Sequence, residues 1–273
     1  MDLITAANPR FDIADVSTLP PPGTDTNKIK EKAKELGKQL DRLEELLYAA
    51  GTHSLLIVLQ GMDTSGKDGT IRNVLSYCNA QGCRIAPFKV PTPEELAHDF
   101  LWRVHKQTPG KGEFVFFNRS HYEDVLVVRF LGLIPEAQWR LRYERINEFE
   151  QLLAESGTIV RKFFLHVSKE EQEQRLLERE EEVEKAWKLS PGDWKTREQW
   201  DEYQAAYSEA IGRCASPDAP WVVVPADKKW YRDFVVIETL VSALAEHESE
   251  WLARLDKIGE EAKAELAEYR AGS

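Results

Sequence analysis

Long apolar runs are missing from this chain of 273 residues. None approaches the ~18 consecutive positions that a membrane-spanning helix needs. The first residues hold no basic segment followed by an apolar core, so no secretory signal is expected. Cysteine is scarce: Cys78, Cys83 and Cys214 are odd in number and match the spacing of neither a disulfide framework nor a zinc site. A reducing cytoplasm is the expected setting. Positive charge is also short. Against 47 Asp and Glu stand 36 Lys and Arg, a formal net charge of −11, which argues against general binding of nucleic acid or a membrane surface. Any polyanionic ligand must therefore be held by basic residues gathered locally. Internal repeats are absent as well. What the chain does carry is core-forming material, 42% apolar and 10% aromatic, enough to exclude disorder throughout and to build one large α/β domain with arms.

The segment Leu55–Gln60 is an apolar run that feeds a glycine-rich turn, Gly61-Met62-Asp63-Thr64-Ser65-Gly66-Lys67-Asp68-Gly69-Thr70, and a helical pattern follows through Ile71, Val74, Leu75 and Cys78. Gly61, Gly66 and Lys67 fit the phosphate-loop spacing G-x-x-x-x-G-K, and the strand before and helix after are the context that spacing requires. Glycines let successive backbone N–H groups face one phosphate. The helix presents its positive end to the anion, and the lysine adds a full charge. Two residues depart from the pattern. Asp68 replaces the Ser or Thr whose hydroxyl holds Mg²⁺, and Asp63 sits inside the loop, where it would repel an anion unless a metal lies between them.

Residues 1–26, with Pro9, Pro20, Pro21, Pro22 and Gly23, read as an extended arm on the surface or on a neighbouring subunit. A catalytic domain is expected over 27–248. It opens with an amphipathic helix from Asn27, a possible N-cap, to Gly51, whose stripe (Ile29, Ala33, Leu36, Leu40, Leu43, Leu47) suits core packing or a dimer seam. Further strands are expected at Cys83–Val90, Glu113–Phe117, Thr158–Val167 and Trp221–Val224. Helices are expected over about Glu94–Lys106, Pro135–Glu155, Lys169–Lys185, Asp193–Arg213 and Trp230–Glu246. Strands separated by helices argue for a parallel sheet of about five strands wrapped on both faces. The charged, interrupted helical hairpin over about 169–213 reads as a lid, or as a solvated surface hairpin. Residues 249–273 read as a polar helical tail.

Ligands bind open parallel sheets at the carboxyl ends of the strands. The Gly61–Thr70 loop, the Lys89–Thr92 turn and Asn118–Asp124 therefore meet at one crevice, with Asp63, Lys67, Lys89, Arg119, His121, Glu123 and Asp124 as its polar groups. Together they offer carboxylates for Mg²⁺, cations for a spreading negative charge, and fixed positions for two substrates, the ingredients of phosphoryl transfer. Ordinary structural roles stand beside each. Lys67 could be a solvated helix-start lysine, Asp63 a turn former, and Arg119 a partner of Glu123. His121 could be a core or cap histidine, Asp124 an exposed helix-start acid, Lys89 and Arg129 surface cations, and Trp187 and Trp194 lid packing.

Gly61–Thr70 and Phe117-Asn118-Arg119-Ser120-His121-Tyr122-Glu123-Asp124-Val125-Leu126 resemble the two signature blocks of the polyphosphate kinase 2 family. So do Ala186-Trp187-Lys188-Leu189-Ser190-Pro191 with Trp200-Asp201-Glu202-Tyr203, and Ala219-Pro220-Trp221 with Asp227-Lys228-Lys229. The similarity runs in order from about Asn27 to Leu244. It implies a P-loop kinase-like α/β fold with a helical lid, and transfer of a phosphoryl group between inorganic polyphosphate and a nucleotide with Mg²⁺, or Mn²⁺ in its place. By resemblance, Asp63 holds metal, Lys67 clamps the transferring group, Arg119 neutralises its charge and Lys188 closes over the site. Asn118 stands where many relatives carry Asp, and Glu123 could then supply the second acid. The wording His121-Tyr122-Glu123-Asp124 resembles the subgroup that accepts both nucleoside mono- and diphosphates. Expected catalytic residues are thus Asp63, Lys67, Arg119 and Glu123, and expected metal ligands Asp63, Glu123 and Asp124. Expected substrate contacts are Gly61, Thr64, Ser65, Gly66, Asp68, Gly69, Thr70, Lys89, Asn118, His121, Arg129 and Lys188. AMP, ADP, ATP and polyphosphate are the expected partners, with no nucleic acid or membrane, and the resemblance implies a dimer or tetramer. The alternatives are an ATP-dependent nucleoside monophosphate kinase and a non-catalytic nucleotide- or polyphosphate-binding regulator.

Overall fold

The computed structural model describes residues 3–181, 184, 187 and 189–271. Among these residues five strands form one sheet in the order β2-β3-β1-β4-β5: β1 (Ser54–Gln60), β2 (Cys83–Pro87), β3 (Phe114–Asn118), β4 (Thr158–His166) and β5 (Trp221–Pro225). Every pairing is parallel. Central β1 is buried from end to end, with Leu55, Leu56, Ile57, Val58 and Leu59 fully inaccessible. A strand covered on both faces favours apolar side chains along its length, which is why β1 reads as a continuous run; β4, buried at every position, departs from this at Arg161, Lys162 and His166.

Helices cover the sheet. The first group is α1 (Thr26–Ala50), α2 (Lys67–Leu75) and, near the chain end, Lys229–Ala245, which packs on α1, α2, β4 and β5. Between β2 and β3 lie α3 (Pro93–Leu96) and α4 (Trp102–His105), and after β3 come α5 (Glu123–Phe130) and α6 (Glu136–Glu155). Between β4 and β5 are inserted α7 (Lys169–Glu181), α8 (Pro191–Glu198) and α9 (Trp200–Arg213). The helix Lys229–Ala245 is α10, and α11 (Glu248–Ala271) follows it. On the side away from α10, α6 packs on β4 and α5 on both α6 and α9.

Several boundaries differ from expectation for local reasons. Helix α1 is capped by Asp25, whose carboxylate accepts from the Asn27 and Lys28 N–H groups, rather than by Asn27. Asp99 turns its side chain onto the Leu101 N–H (3.0 Å), which splits the single helix expected over Glu94–Lys106 into α3 and α4. Strand β2 lies at the sheet edge and stops at Pro87, which has no N–H to continue the ladder. Helix α5 is not among the elements expected; its run Val125-Leu126-Val127-Val128 favours strand by composition, and tertiary packing on α6 and α9 decides for helix.

The amino-terminal arm lies on its own chain. Ile4 makes an antiparallel bridge to Trp221 (2.8 and 3.1 Å), covering part of the exposed edge of β5. Ile13 is fully buried, and Thr18 Oγ1 donates to Asp227 Oδ2 (2.8 Å). Among the described residues no helix is long and apolar enough to cross a membrane.

Candidate active site

Strand β1 ends at Gln60, and the chain turns at once through residues that only this loop geometry accommodates. Gly61 has φ +147°, and a Cβ there would lie 2.8 Å from the Leu165 carbonyl oxygen. Gly66 has φ +105°, and a Cβ there would overlap the Arg232 guanidinium. Thr64 takes φ +64°, a left-handed conformation that a β-branched residue rarely adopts and that costs on the order of 1–3 kcal/mol. The loop delivers Lys67 as the first residue of α2. Its ammonium curls back to donate to the carbonyls of Gly61 (2.7 Å) and Met62 (3.0 Å). Burial and the neighbouring Arg119 push Lys67 down to about 8, although Asp63, Glu123 and Asp68 pull the other way.

Strand β3 lies beside β1 with Asn118 opposite Leu59, so the segment after β3 emerges next to the loop. Arg119 donates its N–H to the Leu59 carbonyl (3.1 Å) and, like Thr64, has positive φ (+62°). The turn aims its guanidinium between two carboxylates: Nη2 to Asp63 Oδ1 at 2.6 Å and Nη1 to Glu123 Oε2 at 3.2 Å. Burial opposes the charge, but Glu123 and Asp63 hold Arg119 above its ordinary range. With the Gln60 amide placed so that its oxygen accepts from the Ser120 N–H, its nitrogen donates to Glu123 Oε1 (3.1 Å). Glu123 is thereby held on both oxygens. Asn118 Nδ2 donates to Asp68 Oδ1 at 2.8 Å, joining the strand end to the first turn of α2.

These residues border a cleft of about 770 Å³ at the carboxyl end of the sheet. Among the described residues eight basic side chains line it, Lys67, Arg72, Lys89, Arg119, Arg175, Arg179, Lys229 and Arg232, against four acids, Asp63, Asp68, Glu178 and Asp193. In a chain of net charge −11 this is the local concentration of cations that a polyanion requires. A second hollow of about 370 Å³, between the arm and α9, contains none of them.

Five of these cations, Arg72, Arg175, Arg179, Lys229 and Arg232, were not among the expected site residues. Arg175 is buried and spends its guanidinium on backbone: it donates to the carbonyls of Thr64 (3.1 Å), Ser65 (3.2 Å), Ala226 (2.7 Å) and Asp227 (3.1 Å), and its Nε to Glu171 (2.8 Å). It thus fastens α7 to the strained turn at Thr64. One turn further on, Arg179 pairs with Asp193 of α8 at 2.8 Å. Their i, i+4 spacing on a helix was a legible signal for one shared face. Arg232 and Lys229 come from α10; Lys229 closes the resembling segment Asp227-Lys228-Lys229, whereas Arg232 carries no local signal.

Four expected site residues, His121, Glu123, Asp124 and Arg129, do not line the cleft. His121 is fully buried, its Nε2 3.1 Å from Glu150 Oε1, and cannot touch substrate. Asp124 is buried between Arg103 (3.2 Å) and Arg142 (3.5 Å) and so does not fit a metal. Arg129 pairs with Glu209 at 2.9 Å and lies over the Trp139 ring. Glu123 has its place behind Arg119. Lys188 lies outside the described residues. The remaining candidates converge: Asp63, Thr64, Gly66, Lys67, Asp68, Gly69, Lys89, Asn118 and Arg119 all line one cavity, with Gly61, Ser65 and Thr70 in the loop beneath.

A phosphate loop opening a helix at the carboxyl end of a parallel sheet in this strand order defines a P-loop kinase-like α/β protein. Comparison with known proteins narrows the class. The model of the Polyphosphate kinase 2 (PPK2) family matches residues 23–251, and the chain belongs to that family. It is 56% identical over 209 residues to the AMP/ADP-polyphosphate phosphotransferase of Meiothermus ruber, covering 77% of this chain and 78% of that one. To the ADP-polyphosphate phosphotransferase of Rhodopseudomonas palustris it is 42% identical over 219 residues, 76% of each chain. The crystal structure of polyphosphate kinase 2 from Arthrobacter aurescens TC1 superposes with a TM-score of 0.84 at 39% identity, covering 90% of this chain and 91% of that one.

Proposed function

We propose that this enzyme transfers a phosphoryl group from inorganic polyphosphate to AMP and to ADP, forming ADP and ATP, in a reversible reaction. The observation that supports this most directly is the cationic cleft, whose phosphate loop carries its own carboxylate, Asp63, paired with Arg119 at 2.6 Å. A terminal phosphate oxygen of the acceptor attacks the end phosphorus of the polyphosphate. The bond from that phosphorus to the bridging oxygen breaks, and the shortened chain leaves with the electron pair as its new terminal phosphate. The attacking oxygen is already deprotonated near neutral pH, so no general base is needed. Positioning and charge neutralisation carry the rate.

Asp63 offers hard oxygen donors at the rim of the cleft, which fits a Mg²⁺ ion that keeps water and phosphate oxygens as its other ligands. That ion, when bound, neutralises phosphate charge that Asp63 alone would repel. Lys67 and Arg119 face the transferring group, Glu123 and Gln60 hold Arg119 in place, and Arg175 holds the loop. Helices α7 and α8, with Arg179, act as the lid that excludes water.

Incubating the enzyme with Mg²⁺, AMP or ADP, and either polyphosphate or ATP tests the reading. Formation of ADP and ATP from polyphosphate without added nucleoside triphosphate is the expected result; phosphorylation of AMP only when ATP is supplied overturns it. Lys67 adds a pH signature. In the free enzyme it titrates near 8, and bound phosphates favour its charged form. Polyphosphate binding should then take up protons at pH about 8.5 but not at about 6.5, and affinity should fall as pH rises through this window. Calorimetry in buffers of different ionisation enthalpy reads the uptake; identical proton balance at both pH values removes Lys67 from the phosphate site.

A further inference from the structure

At the opposite end of β1 from the cleft, seven residues or about 23 Å away, three potential ligands converge that the transfer reaction does not use. His53 precedes β1, and His247 and Glu250 flank the start of α11. The two imidazole rings lie 4.5 Å apart with a 39° tilt, and His53 Nδ1 is 3.9 Å from Glu250 Oε1. One ligand atom from each of the three falls within 4.8 Å of the other two. Trp251 Nε1 donates to His53 Nδ1 (3.1 Å), a hydrogen bond that coordination through that nitrogen would displace, and Thr52 Oγ1 lies 3.0 Å from the same nitrogen. Trp251 is the one residue of α11 that is buried among those described, so the cluster sits at the root of the helix.

We propose that His53, His247 and Glu250 form a binding site for a divalent transition-metal ion of the zinc class. Two imidazole nitrogens and one carboxylate are borderline donors that suit such ions, whereas Mg²⁺ takes oxygen ligands, so this site and the cleft select different metals. Tetrahedral coordination with Zn–N of about 2.0–2.1 Å separates ligand atoms by roughly 3.4 Å. Closure from the present spacing is within reach of Glu250, whose side chain is 57% exposed. Three protein ligands leave a fourth position for water. An ion there would tie the turn before β1 to the junction of α10 and α11, so its effect is on stability and not on transfer.

Zn²⁺ titrated into the metal-free, full-length enzyme, followed by calorimetry and thermal unfolding, tests this, with Co²⁺ as a visible-absorption probe. The expected result is one strong site that raises the unfolding temperature. It should be weakened about 10–100-fold or more by His247→Ala and by the exposed-site change Glu250→Gln, on the scale seen for weakened metal sites. Mg²⁺-dependent transfer should stay at the wild-type rate in both variants. Asp63→Asn should leave the Zn²⁺ site intact, which separates it from adventitious zinc in the cleft. The proposal is overturned if Zn²⁺ binds wild type and Glu250→Gln with equal affinity, if Asp63→Asn abolishes the binding, or if no strong site is present.

Discussion

Arg119→Ala should lower kcat for transfer from polyphosphate to AMP by about 10³-fold or more, with a much smaller change in KM. The magnitude follows from what the guanidinium does. It is held by Asp63 and Glu123 at the mouth of the phosphate loop; in the transfer proposed above, charge would spread over the group there, and an interaction realised mainly in the transition state acts on kcat. Removing it also leaves Asp63 and Glu123 without the cation between them, so the loop carboxylate loses its orientation. Arg119→Lys should recover little, because one ammonium cannot bridge two carboxylates and a phosphoryl group. Folding should survive in both variants, since the Arg119 side chain is 40% exposed. Steady-state kinetics with polyphosphate and AMP, alongside thermal unfolding, decide the point. A loss smaller than about tenfold, ~1.4 kcal/mol in the barrier, takes Arg119 out of the chemistry.

The parts of this site that were legible in the sequence are those that a strand end dictates. Buried parallel strands are mostly apolar, so the runs of β1 and β3 were readable, and the residues that follow them had to emerge at the same edge. That is how the sequence alone groups Asp63, Lys67, Asn118 and Arg119. The errors arise one step beyond each strand end. His121, Glu123 and Asp124 follow Arg119 within five positions, but the turn and the start of α5 send successive side chains to different surroundings. On a helix, residues 123 and 124 point about 100° apart, so one meets Arg119 and the other Arg103. The cations from α7 and α10 were missed for the opposite reason. Their neighbours in the chain are ordinary charged helix residues, and only packing brings Arg175 onto the Thr64 carbonyl and Arg232 against Gly66.

The second large effect lies beneath the site, in charges that the reaction never touches. Lys162 Nζ on β4 is fully buried and uses all three donors, to Glu150 Oε2 (2.5 Å), Cys214 O (2.5 Å) and Tyr122 OH (3.0 Å). Tyr122 OH in turn donates to Glu150 Oε1 (2.9 Å), which His121 also approaches. Burial works against the Glu150 carboxylate, yet Lys162 and His121 hold it below its ordinary range. Lys162→Met removes that compensation and should destabilise the fold by about 3–5 kcal/mol, the cost of stranding one buried charge. The double change Lys162→Met with Glu150→Gln should recover much of the loss, because neither charge is then left unpaired. The pH dependence has a definite sign. In the single variant the folded carboxyl titrates above its unfolded value, so its deficit is smallest below about pH 4 and grows as pH rises through the folded value. Urea unfolding of the three proteins at acid and neutral pH measures this. A single-variant loss under about 1 kcal/mol, or a double variant less stable than the single, would show that Lys162 is not the counter-charge holding Glu150, and with it His121 and Tyr122, behind the Arg119 turn.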